Sequence, residues 1–153
     1  MENNEHPTWL VPIDIAKELK EIGFNEACPF IVYPDEDEVV ITGVTNVDID
    51  EVDENEGYDV CADLVVNQCY AFNKDNMQTI PTWTEVFAWF RARGLYSYIR
   101  SYIAPENFYI YSIYDNNNFD KCCGRRDTYE AAQKECVKAL IKTYKNELKK
   151  NNL

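Results

Sequence analysis

Several kinds of residue are scarce in this sequence, and each scarcity excludes a class of chemistry. Histidine occurs once, at His6 near the start, so a Ser-His-Asp or Cys-His arrangement has no credible general base and a histidine metal centre has no ligands. The five glycines, at positions 23, 43, 57, 94 and 124, never cluster, which removes the P-loop and G-x-G-x-x-G cradles for phosphate. Apolar runs end at lengths such as "VCADLVV" and "VFAWF", far below the ~20 residues of a membrane span, so no membrane partner is expected. The opening "MENNEHPTWLVP" has no basic start leading into an apolar stretch; no signal peptide is expected, and the chain reads as intracellular. Paired C-x₂-C spacings are also missing among Cys28, Cys61, Cys69, Cys122, Cys123 and Cys136. Neither a zinc site nor a disulfide framework follows, and free thiols in a reducing compartment are expected. No cofactor is implied.

Positive charge is missing from most of the first half. No Lys or Arg lies between Lys20 and Lys74, and every Arg comes after position 90. Residues 1–80 hold 19 acids against 3 lysines, whereas residues 81–153 hold 8 acids against 12 bases, within a net charge of −12. Such asymmetry points to a partner of one sign, to attraction between the halves, or simply to a solvated acidic face.

What is present suits an α+β protein of amphipathic helices packed on one face of a small antiparallel sheet. At 153 residues, 46% of them hydrophobic, the chain can build a core as a single domain. Residues 1–10 read as a loose tail, followed by an acidic α-β-β half over 11–78 and an α-β-β-α half over 79–153. In the first half, Pro12 stands at a first helical position, Ile15, Ala16, Leu19 and Ile22 recur at helical spacing, and Gly23 supplies the stop. "CPFIVY" and "EVVITGV" are strand-like, with Pro34 and "DEDE" as the connection. The acidic "DIDEVDENEGYD", 48–59, reads as a mobile loop. Its spacing fails as an EF-hand, because counting from Asp48 puts Val52 where the third ligand belongs. Residues 60–72 are ambiguous between helix and strand.

The second half is better patterned. Thr82 and Glu85 form a T-x-x-E capping box, Trp83, Val86, Phe87 and Phe90 make an apolar stripe with Trp89 at its edge, and Gly94 ends the helix. Arg91 and Arg93 fall in the last turn, where the helix dipole favours cations. From Leu95 the period becomes two: Leu95, Ser97, Ile99, Ser101 and Ile103 share one face, Tyr96, Tyr98, Arg100 and Tyr102 the other. "APEN" turns the chain and "FYIYSIY" returns, giving a hairpin with an aliphatic and a tyrosine-rich face. "DNNNFDKCCGRR" reads as a polar turn, and Asp127 with Glu130 as the cap of a last helix whose stripe is Cys136, Val137, Leu140, Ile141, Tyr144 and Leu148. Lysines 134, 138, 142, 145 and 149 line its opposite side.

The segments "PTWTEVFAWFRARGLYSYI", "FYIYSIY", "DTYEAAQKECVKALIKTYK" and "AKELKEIGF" resemble those of a group of small uncharacterised proteins from gut anaerobes and their phages or prophages. The resemblance covers roughly 10–33 and 79–148 and rests on packing and capping residues. It implies a cytoplasmic setting in a bacterial host cell and brings no activity with it.

Three functions stay open. The first is a non-catalytic, phage- or prophage-encoded protein-interaction module, with Trp89, Tyr96, Tyr98, Arg100, Tyr102, Arg125 and Arg126 as the candidate surface. The second is a nucleic-acid-binding accessory protein using the basic half, disfavoured by the net negative charge. The third is a carboxylate hydrolase, which needs a pocket with two facing acids. The cysteine pattern is directly testable: all six thiols should react with a thiol reagent in denatured, unreduced protein prepared under reducing conditions, and a count of four would reveal a disulfide.

Overall fold

The computed structural model describes residues 8–26, 28, 30–32, 40–41, 78–117 and 120–151. The acidic connection after Pro34, the loop at 48–59 and the ambiguous segment at 60–72 lie outside them. The chain divides into two compact units, Met1–Pro81 and Thr82–Leu153.

In the first unit, helix α1 spans Ile13–Glu21 with Pro12 at its N-cap, one place earlier than the sequence suggests. Its buried face is Ile15, Ala16 and Leu19. Gly23, at φ 98°, takes the left-handed conformation that closes the helix, the Gly23 amide donating to the Lys20 carbonyl and the Phe24 amide to that of Leu19. Strands β1 (Phe30–Val32), β2 (Val40–Ile41) and β3 (Gln78–Thr79) form an antiparallel sheet in the order β2-β1-β3. The buried Gln78 side chain ties this sheet to α1, its Nε2 donating to the Ala16 carbonyl at 3.0 Å. The expected loose tail ends sooner than residue 10, since Leu10 and Val11 are fully buried and the Val11 amide donates to the Pro81 carbonyl.

In the second unit, helix α2 (Trp83–Arg91) leads through Gly94, at φ 82°, into strands β4 (Leu95–Tyr102), β5 (Phe108–Asp115) and β6 (Asp120–Arg126), then helix α3 (Tyr129–Asn151). The sheet is antiparallel, ordered β4-β5-β6, and the helices pack on one side of it. The fold is α+β, as the pattern of stripes requires. The capping box on α2 forms as read: the Glu85 amide donates to Thr82 Oγ1 at 3.2 Å, and the Thr82 amide to Glu85 Oε1 at 3.1 Å.

Four local readings change. The supposed polar turn after Asp115 contains strand β6, whose cysteines and arginines alternate between faces. A bulge at Lys121 lets Ile113 pair with Cys122 and Tyr114 with Asp120. Gly124 is required where the Tyr111 ring lies across β6, since a Cβ there would stand 2.6 Å from the ring. Thr128, not Asp127, caps α3, its hydroxyl accepting from the Ala131 amide at 3.1 Å. On β5, Tyr109 and Tyr111 face the helices, so tyrosines are not confined to one side.

Finally, α2 buries Val86, Trp89 and Phe90, leaving Phe87 half-buried. Helix α2 must satisfy α3 as well as the sheet, and Tyr144 of α3 meets both Trp89 and Phe90 edge-on, at 5.3 and 6.2 Å between ring centroids. Arg93 closes this cluster, its guanidinium 3.6 Å above the Trp89 ring and donating to the Trp89 carbonyl. The core of the unit is completed by Leu95 and Ile113 from the sheet and by Ala132, Cys136, Val137, Leu140 and Ile141 from α3.

This arrangement makes two measurable differences. Phe90→Ala should lower unfolding free energy by about 3–5 kcal/mol and Phe87→Ala by no more than about 1.5 kcal/mol in urea titrations, the reverse order putting the opposite side of α2 inside. Burial pushes the Cys136 thiol from an ordinary 9.0 up to about 12, against a hydrogen bond with Ser97 that lowers it. Tyr111 is raised above 10.0, by burial first and by Cys122 second. Each group holds its proton more tightly folded than unfolded, so stability is intact below pH 9.0 and falls as pH rises towards 12. Cys136→Ala should flatten that alkaline loss, and an unchanged slope would show that Cys136 does not cause it.

Candidate interaction face

The side of the sheet away from the helices is built by strand alternation. Across it run Tyr102 and Phe108, then Arg100, Ile110 and Arg125, then Tyr98, Ser112 and Cys123, then Tyr96 and Tyr114. Four of the seven residues singled out from sequence, Tyr96, Tyr98, Arg100 and Tyr102, therefore lie together, and β6 adds Arg125. Two do not. Trp89 is 4% exposed and belongs to the core, because Tyr144 packs against it. Arg126 is adjacent to Arg125 and so points to the helix side, where it meets Glu135 of α3 at 3.4 Å.

The rings on this face pack on one another. Tyr102 and Phe108 stack at 4.6 Å with 6° between planes, and Tyr96 stacks on Tyr114 at 5.5 Å. Tyr98 leans on Tyr114 at 6.1 Å and stays 50% exposed. Guanidinium groups cover the first pair: Arg100 lies 5.0 Å over Tyr102 and Arg125 lies 3.9 Å over Phe108. Arg125 also meets Glu106 at 3.4 Å, an exposed pair worth little energetically. The face thus offers ring edges, hydroxyls and two cations around Ile110.

The candidate set left out Phe108, Ile110 and Tyr114 of β5, although the alternation of "FYIYSIY" was read as a strand, and Cys123 of β6. For Cys123 the alternation of "KCCGRR" was the available signal, hidden by a composition of Lys, Gly and Arg that reads as a turn. A second feature lies on the helix side of β4, a cavity of about 230 Å³. Thr84, Phe87 and Arg91 of α2 line it, with Ser97 to Ile99 of β4 and Tyr129 at the start of α3. No carboxylate lines it, so it does not provide the facing acids that a hydrolase would need.

Among the described residues, no helix is long and apolar enough to cross a membrane, and no three His, Cys, Asp or Glu side chains converge as a metal site. No protein-family model, curated protein or solved structure matches the chain.

Proposed function

We propose that the chain is a non-catalytic protein-interaction module and that the open face of the β4-β5-β6 sheet is its contact surface. One observation carries this reading: the rings are spent on each other and on guanidinium groups. Nucleic-acid platforms need free ring faces on which bases stack. Here the faces of Tyr102 and Phe108 are already occupied, so a base would have to displace a guanidinium. Protein interfaces instead favour rigid Tyr, Phe and Arg side chains that present edges, hydroxyls and charge. Arg100 and Arg125 flanking Ile110 suit a partner with an apolar centre and acidic residues around it. A setting in a bacterial cell and a phage or prophage origin rest on the resemblance of the W-F-R helix, aromatic hairpin and T-Y-E-x-A helix.

The test replaces Tyr98 with photoreactive benzoylphenylalanine and compares it with the same replacement at Lys142, exposed on α3. In a bacterial lysate, position 98 should give a discrete protein crosslink that position 142 does not, and the captured protein should shield Cys123 from alkylation. For the purified pair, Arg100→Ala/Arg125→Ala should weaken binding about 30-fold or more, the effect of losing an interface hot spot, with an unchanged melting temperature. Micromolar binding to RNA or DNA at about 50 mM salt, abolished by the same substitutions, would move the nucleic-acid reading to first place.

A further inference from the structure

The outer edge of β4 and the cavity beside it are one feature. Strand β4 stands at the end of the β4-β5-β6 order, and among the described residues no strand pairs with its other edge. Ser97, Tyr98 and Ile99 line the cavity consecutively, so the strand edge itself, and not one face of it, forms the wall. A chain laid along that edge would pass the cavity mouth and direct alternate side chains towards it.

The cavity's size and lining say what could enter. About 230 Å³ exceeds the 150 Å³ or so that holds one benzene, yet is below the ~300 Å³ floor of pockets for drug-sized ligands. One side chain or chain terminus fits. Phe87 and Ile99 supply apolar wall, Thr84 and Tyr129 supply hydroxyls, and Arg91 is the single charged group on the lining. Arg91 is exposed and, among the described residues, meets no carboxylate. A guanidinium without a carboxylate partner, on the wall of a small pocket that mixes hydroxyls with apolar surface, suits a carboxylate on a short stem, which it can bind through two parallel hydrogen bonds.

We infer that β4 accepts an extended acidic peptide as a further strand, seating a Glu, Asp or C-terminal carboxylate against Arg91. This surface is the edge of β4 and shares Tyr98 with the open aromatic face, but it turns on Arg91 and Phe87, which that face does not include, so substitutions at those two positions test it separately.

A library of random twelve-residue peptides displayed on phage and panned on the full chain should enrich sequences that carry an acidic residue among strand-forming ones. A synthesised winner should bind at least about tenfold less tightly once its carboxylate is an amide, the scale of one lost charged hydrogen-bonding group. Arg91→Ala should cause the same loss, with no further loss when the two changes are combined. Phe87→Trp, which narrows the cavity while keeping the Arg91 guanidinium, should also block binding, and amide exchange within Leu95–Tyr102 should slow in the complex. Panning without enrichment, winners that bind Arg91→Ala equally well, or unchanged exchange along β4 would each overturn the inference.

Discussion

In Thr82–Leu153 both amphipathic helices are spent on the same side of the three-stranded sheet, which leaves the other side open. Everything else in the unit answers to that allocation. The covered side excludes water with aliphatic and aromatic side chains from the sheet and both helices, among them Leu95, Ile113, Phe90 and Leu140. The opposite side must meet water while still holding three strands together, and it does so with tyrosines. A stacked tyrosine pair shields much of its carbon surface while leaving its hydroxyls wet, and cations laid over the outer rings add attraction without burying charge.

The same allocation accounts for details that look unrelated. Tyr111 points inward from β5, buried, with its ring lying across Gly124 of β6, where any side chain would collide with it. Cys136 sits opposite on α3, small enough to fit beneath the sheet and deep enough that ionising it is unfavourable. The ends of β4 mark where coverage stops. Beyond Tyr102 the chain exposes Ile103, and along the strand's outer edge the contact between α2 and β4 leaves the cavity at Arg91. The edge cavity is therefore a place where the helix layer runs out, whereas the aromatic face is the side that layer never covers.

Much of this was readable from the amino acids, and the failures have identifiable causes. The capping box at Thr82 and Glu85, the left-handed glycines at 23 and 94, and the two-residue alternation from Leu95 to Tyr102 are local signals that involve a few neighbours in the chain, and all three form. The β6 strand was not readable, because a bulged strand of Asp, Lys, Cys, Gly and Arg gains its stability from Tyr111 and from pairing with β5 rather than from its own propensity. Trp89 was misplaced for a different reason. With Trp83, Val86, Phe87, Trp89 and Phe90 wrapped round most of one helix, periodicity permits two buried faces, and only the arrival of Tyr144 from far along the chain chooses between them. Arg126 was grouped with Arg125 because they adjoin, whereas a strand sends neighbours to opposite faces.

The amino-acid order alone determined the fold class, the capping box of α2, the left-handed glycines that end α1 and α2, and the two-residue alternation of β4. These depend on residue type and spacing over a few positions, which the chain carries wherever it goes. Tertiary structure decided which side of α2 is buried, that β6 exists, that Phe108 and Arg125 join Tyr102 and Arg100 on one face, and that Arg91 stands beside a cavity at a free strand edge. Those outcomes depend on groups tens of residues apart competing for the same space, and packing settles that competition only once the sheet and both helices are in place.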